Sequence, residues 1–310
     1  MHTILGAGGA IGSTLVKELA DAGHQVRLVG RNPKMVTGVT QVFPADLLDL
    51  NKTIEAVAGS SVVYLLVGLP YQTSVWREQW PVVMNNAIEA CKRANAKLIF
   101  FDNVYMYGKV NGPMTEETAF NPCSKKGEVR AQIATTLLNE IRSGNINALI
   151  ARSADFYGPN VRTSVFNMLV FDNFAKKKSA AWLVNDAVPH SFTYTPDAAK
   201  SLLLLASADT AWNQTWHVPT AANPPTGKEF IQMAAKEFGV EPKYKVLGRT
   251  MIKIAGIFVS DIRQSYEMLY QNDSDYVFDS TKFTKAFNVE PTTYAKGIQM
   301  TAAAYARPAN

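Results

Sequence analysis

Glycines stand at positions 6, 8, 9 and 12 within ILGAGGAIGSTL, residues 4–15. Residues without side chains allow positive φ and let a backbone approach a ligand closely. Where such a run opens a helix, its free N–H groups face phosphate oxygens. The chemistry written here is the gripping of a diphosphate. In Gly6-x-x-Gly9-x-x-Gly12 one glycine makes the turn, a second admits the pyrophosphate and a third permits close helix-to-strand packing. The spacing predicts a strand from His2 to Leu5, then a helix over 11–22 that ends at Gly23. Gly6, Gly8, Gly9, Ala10, Ile11 and Gly12 are the expected dinucleotide contacts; a tight structural turn is the alternative.

Cofactor choice turns on the next strand, QVRLV, which ends in Gly30-Arg31-Asn32. A carboxylate at that point would receive ribose hydroxyls in the NAD-type fingerprint. None is present, and Arg31 could grip a ribose 2′-phosphate with a charge-assisted fork. NADP is therefore expected ahead of NAD, the alternative being that Arg31 is an ordinary surface residue. Asp46, followed by Leu47 in FPADLLD, is placed either to meet the adenine edge or to cap the helix that follows.

These groups need a frame. Short apolar runs (TILGAG, QVRLVG, SVVYLLVG, KLIFFDN) alternate with helical patterns (STLVKELADAG, NNAIEACKRA). Strands apolar almost throughout are buried on both faces, so the fold expected is α/β, a Rossmann-like, doubly wound parallel sheet. NALIARS and TWHVP read as later strands returning to it, and PDAAKSLLLLASA as a helix opening at Pro196-Asp197. Residues 1–160 are read as the dinucleotide-binding core. Residues 161–310 are read as a mixed region that returns strands to the sheet and forms a smaller C-terminal, substrate-covering lobe. RTMIKIAGIFVSDIRQSYEMLYQ has apolar residues at helical spacing and is either a pocket roof or a core helix.

Composition narrows the partners. The chain of 310 residues, 47% hydrophobic, can bury a sizeable core. Cys91 and Cys123 make no disulfide framework, and His2, His24, His190 and His217 lack ligand spacing, so no metal is expected. The +5 net charge suits an anion, but Lys125-Lys126 and Lys176-Lys177-Lys178 are short and lack interleaved aromatics, which argues against nucleic acid. No apolar stretch reaches the roughly 18 residues of a membrane span and no leader pattern is visible, so a cytoplasmic protein without a membrane partner is expected.

Together with the glycine spacing and Asp46-Leu47, the segments YMYG (105–108), ARSADFYGPN (151–160), FTYTPDAAKS (192–201), VFDSTKFTKAF (277–287) and EPTTY (290–294) resemble an extended short-chain dehydrogenase/reductase of the NAD(P)-dependent epimerase/dehydratase type. The resemblance runs over nearly the whole chain. It implies a core of about seven strands, a C-terminal substrate lobe, a nicotinamide cofactor, and a homodimer built on paired helices, here about Trp76 to Ala94 and Lys126 to Arg142.

It also exposes departures. Where the family places a serine or threonine to polarise the substrate oxygen, Asn103 stands; its amide can donate to a carbonyl or satisfy the backbone. Where the family's Tyr-x-x-x-Lys should open a helix, NPCSKKGEVRAQ aligns Lys126 with the tyrosine and Arg130 with the lysine. Arg130 can still bind ribose hydroxyls, whereas Lys126 is a different acid. Tyr105, Tyr107 and Tyr157 follow strand ends and are candidates for a substitute proton donor, Tyr105 foremost, the alternative being a packing role. His190 stands where nucleotide-sugar enzymes of this type carry arginine, and with Tyr157 and Tyr194 it is a substrate-contact candidate. Asn167, Trp182 and Tyr270 could shape the same pocket. Three functions stay open: an NADP-dependent oxidoreductase or isomerase of a small carbonyl or hydroxyl compound, a non-catalytic NADP-binding redox sensor, and a nucleotide-sugar epimerase or dehydratase.

Overall fold

The computed structural model describes residues 1–6, 8–161 and 163–306. In chain order the elements begin β1 (His2–Leu5), α1 (Ala10–Asp21), β2 (Val26–Gly30), β3 (Gln41–Pro44), α2 (Leu50–Val57), β4 (Val62–Leu65), α3 (Thr73–Ala94), β5 (Lys97–Asp102), α4 (Lys125–Arg142) and β6 (Ala148–Arg152). They continue with β7 (Asp155–Tyr157), α5 (Asp172–Ala175), β8 (Ala180–Leu183), β9 (Phe192–Tyr194), α6 (Thr195–Ser207), β10 (Thr215–His217), α7 (Gly227–Phe238), β11 (Tyr244–Leu247), α8 (Arg249–Phe258), α9 (Ser260–Ser265), α10 (Thr281–Phe287) and α11 (Tyr294–Tyr305).

A seven-stranded sheet in the order β10-β6-β5-β4-β1-β2-β3 forms the expected α/β frame. The neighbours from β6 to β3 all pair in parallel. Its central strands are buried along most of their length, which explains their unbroken apolar sequence. Register places Leu5 opposite both Val29 and Leu65, and Leu65 opposite Phe100, so the chain leaves β1, β2, β4 and β5 at one carboxyl edge.

Two compact units divide the chain. One holds 1–106, 125–152 and 198–216; the other holds 107–124, 153–197 and 217–310. In the second, β7 pairs with β9 and β8 with β11, both in parallel. Its core is aromatic: Phe192, Phe230, Trp182 and Tyr157 are buried with ring centres 4.7–6.2 Å apart along their contacts. The helix α7 is fixed at its start by a capping box, in which Thr226 and Glu229 satisfy each other's backbone N–H groups.

Two sequence expectations are corrected. The cap of α2 is Asp49, whose carboxylate accepts from Lys52 N–H at 3.0 Å, while Asp46 accepts from Leu48 N–H at 3.1 Å in the preceding turn. The apolar stretch 249–271 is not one core helix: it breaks after Phe258, and of α8 only Ile252 and Gly256 are buried.

Candidate functional site

At the carboxyl edge of the first unit, the turn after β1 shows why glycine is needed. Gly6 has φ +122°, and a Cβ there would stand 2.6 Å from the backbone nitrogen of Val67. Its N–H donates to Val29 O at 3.0 Å, tying the turn to the end of β2. Gly8 has φ +89°, yet a Cβ on it would meet nothing within 4 Å. Conformation, not crowding, asks for glycine at that position. Gly9 caps α1 without a side-chain hydrogen bond, and a Cβ on Gly12 would be 3.4 Å from Gly6 O. Ala10 and Ile11 open the helix. Arg31 follows β2 directly and is exposed, as is Asp46 past β3, and Leu47 is buried with its carbonyl accepting from Asn86 Nδ2 at 2.8 Å.

The neighbouring loops gather a second cluster. Lys126, in the first turn of α4, is fully buried. Its Nζ donates to Thr73 Oγ1 at 3.1 Å and lies 4.6 Å from the centre of the Tyr71 ring, within cation–π range. The Tyr71 hydroxyl donates to Tyr105 Oη at 3.3 Å. Tyr105 is half-buried and stacks on Trp76 at 6.3 Å. Asn103 Oδ1 accepts the Tyr105 N–H at 3.0 Å, which fixes the amide's orientation and leaves its NH₂ as the donor end.

Beneath this cluster lies a buried ion pair. Arg130, one turn past Lys126, donates through Nε to Asp102 Oδ1 at 2.7 Å and through Nη2 to the same oxygen. The guanidinium also lies 4.4 Å from the Trp80 ring and 5.0 Å from Phe100. A second buried arginine, Arg152 at the end of β6, has Nε 4.0 Å from Asp102 Oδ2. One carboxylate thus holds the last residue of β5 against α4.

Other candidates lie in the second unit. Tyr107 is buried and bonded through its hydroxyl to His217 Nε2 at 2.8 Å. Tyr157 and Tyr194 are buried with ring centres 5.5 Å apart, and burial pushes the Tyr194 phenol up to about 12 and that of Tyr157 well above its usual value. Asn167 donates to Gly158 O at 2.9 Å, and Trp182 to Asn185 O at 3.1 Å. His190 is buried against the Tyr276 ring at 4.3 Å, and its Nε2 meets Asp155 Oδ2 at 3.0 Å. The Asp155 side chain is 27% exposed.

Sequence reasoning did not single out Tyr71, Thr73, Arg152 or Asp155. The signal available for the first two was position: they follow β4 at the edge where open α/β sheets bind ligands. Among the described residues no group of three or more histidines, cysteines or carboxylates could hold a metal. None of the described helices is long and apolar enough to cross a membrane. The helices α3 and α4 lie side by side within the chain, joined by Lys92–Glu140 at 3.2 Å and Arg77–Glu128 at 3.5 Å.

Comparison with known proteins agrees with this frame. A relative from Bacillus cytotoxicus, a UDP-N-acetyl-alpha-D-glucosaminuronate decarboxylase, is 25% identical over 221 residues, 64% of this chain and 69% of that protein. The structure of MoeE5 in complex with UDP-glucuronic acid and NAD superposes with a TM-score of 0.79 at 20% identity, covering 98% of both chains. A UDP-glucuronic acid 4-epimerase from Bacillus cereus, in complex with NAD, gives 0.80 at 17% identity over 99% of both. Residues 2–218 match the model of the NAD dependent epimerase/dehydratase family, and the chain belongs to that family.

Proposed function

We propose that the chain binds a nicotinamide dinucleotide at the turn after β1 and exchanges a proton between Tyr105 and a small carbonyl or hydroxyl substrate, as an oxidoreductase or isomerase. The observation that carries this reading is the Lys126–Tyr71–Tyr105 cluster, built on the sheet edge that also bears Gly6, Gly8 and Gly9. The glycine turn fits a diphosphate: Gly8 leaves space that a Cβ would fill, and the start of α1 carries no side-chain cap. Arg31 would take the 2′-phosphate of NADP, and Asp46 the adenosine side. A bound nicotinamide supplies or accepts the hydride.

The chain's own residues then handle the proton. Tyr105 Oη accepts from Tyr71, and its O–H is the proton assigned to the substrate oxygen. Negative charge on the Tyr105 oxygen is stabilised by the Tyr71 hydroxyl and, beyond it, by the Lys126 ammonium. Asn103 can donate its NH₂ to the same substrate oxygen. The Arg130 guanidinium is committed to Asp102 and to aromatic rings, which favours positioning of α4's first turn over ribose contact. Within the second unit, His190 would act through the more exposed Asp155 that it contacts, while Tyr157 and Tyr194 pack in the aromatic core. Paired copies of α3 and α4 would form the homodimer.

The names of the relatives favour a second reading, a nucleotide-sugar epimerase, dehydratase or decarboxylase using NAD. Against it stands Asp155, an acidic group beside His190, where a diphosphate would want a fixed cation. A panel assay separates the two. Small aldehydes and ketones with NADPH, and UDP-glucose and UDP-glucuronic acid with NAD, are followed by nicotinamide absorbance and product chromatography. Turnover confined to the first arm and lost in Tyr105→Phe supports the first reading; turnover of the UDP sugars overturns it. No turnover in either arm, with intact NADPH binding, favours the redox sensor.

A further inference from the structure

The helix α8 is apolar on two sides. Ile252 and Gly256, four residues apart, face the interior of the second unit, as a packed helix requires. Around the rest of the helix Met251, Ile254, Ile257 and Phe258 are exposed, and Val259 extends the ridge past the helix end. Ile257 is 68% exposed and Phe258 82%, the latter the greatest value among the exposed large apolar side chains. Scattered apolar residues at a surface are ordinary, but an aliphatic and aromatic ridge along one helix is not.

The charge around the ridge in sequence is mainly cationic. From residue 243 to 263 the chain carries Lys243, Lys245, Arg249, Lys253 and Arg263 against a single acid, Asp261. Lys243 pairs with Glu241 and Arg249 with Asp273, while Lys253 on α8, Lys245 on β11 and Arg263 on α9 are exposed. Long cationic side chains flanking an apolar stripe can reach past it to an anionic plane while their stems stay against the apolar surface.

We infer that the α8–α9 ridge docks reversibly on an anionic lipid bilayer surface, with Ile257 and Phe258 entering the headgroup region. Size favours a bilayer over a second copy of the chain. Five apolar side chains fall well short of the roughly 20–30 residues a side of a stable protein interface. Exposed aliphatic and aromatic side chains on one helix face, with cations nearby in the chain, suit a bilayer interface, which such side chains enter to about 5–10 Å. Here α8 has 10 residues, too few to span, so the contact is peripheral.

Vesicle co-sedimentation of the full-length chain tests this, comparing phosphatidylcholine alone with phosphatidylcholine containing roughly 30% phosphatidylglycerol. The expected result is pelleting with the anionic vesicles that weakens about tenfold when both Ile257 and Phe258 are changed to Asp, or both Lys253 and Arg263 to Glu. Raising salt from about 50 to about 500 mM should weaken it as well. These side chains are exposed, and an unchanged melting transition with unchanged cofactor affinity would show that the fold and the dinucleotide site are intact. The proposal is overturned if the wild-type chain stays in the supernatant, or if Ile257→Asp/Phe258→Asp pellets as well as wild type. It is also overturned if sedimentation equilibrium without lipid shows a dimer which that variant dissolves, since a second copy would then cover the ridge.

Discussion

The Lys126 ammonium stands 4.6 Å from the centre of the Tyr71 ring. The Tyr71 hydroxyl in turn donates to Tyr105 Oη at 3.3 Å, and Tyr105 is half-buried at the sheet edge. Tyr105→Phe keeps the ring and its stacking on Trp76 but removes the proposed acid, so kcat should fall about 100- to 10,000-fold with cofactor affinity unchanged. Tyr71→Phe keeps the ring that faces Lys126 and loses the hydroxyl's hydrogen bond to Tyr105. A loss of about tenfold, with a shifted pH–rate profile, is expected for it. Steady-state kinetics paired with NADPH titration check both.

Arg130 and Asp102 form a buried pair, and removing Arg130 takes away the hydrogen-bonded guanidinium, leaving Asp102 with Arg152 at 4.0 Å and the Asn103 N–H. Arg130→Met should cost about 3–5 kcal/mol in urea unfolding, whereas Arg130→Lys keeps the charge but not the fork and should cost less. Equal losses in the two variants would mean that the guanidinium matters for its packing against Trp80 and Phe100.

Gly6 and Gly8 are constrained for different reasons, so alanine should separate them. Gly6→Ala drives a Cβ against the Val67 backbone in addition to its positive φ, and should cost roughly 3 kcal/mol or more of stability. Gly8→Ala meets only conformational strain, roughly 1–2 kcal/mol. Its larger effect should be on NADPH affinity, at least about tenfold, because the methyl enters the space offered to the diphosphate.

Low pH should weaken the fold through His2. Its imidazole bonds to the Tyr64 hydroxyl at 2.9 Å, and burial, with the neighbouring His24, pulls its pKa from 6.5 to about 4. Below 6.5 the unfolded chain takes a proton that the folded chain refuses, so stability falls as pH drops toward 4. Urea melts at several pH values should show that slope, and His2→Gln should flatten it.

Much of the frame was legible because buried parallel strands are written as continuous apolar runs punctuated by glycine. The strand His2–Leu5 and the α1 start near Ala10 follow from that grammar. The cluster that could move a proton was not. Lys126 meets Thr73 across 53 positions and Arg130 meets Asp102 across 28, and no local periodicity records such pairings. Asp46 and Asp49 show a finer limit: both suit a cap, and the choice depends on where α2 begins. In α8 the apolar spacing satisfied a helix, but with apolar residues on two faces the sequence did not say which one stays in water.

Bare amides after β1 are proposed to hold a dinucleotide, with Arg31 selecting its extra phosphate. Titration of purified, ligand-free protein with NADPH and NADH, followed by nicotinamide fluorescence, tests this most directly. The expected result is saturable binding of both, with NADPH at least about tenfold tighter and Arg31→Ala erasing the difference. Equal affinities would contradict the role of Arg31, and no binding of either coenzyme at about millimolar concentration would contradict the dinucleotide site itself.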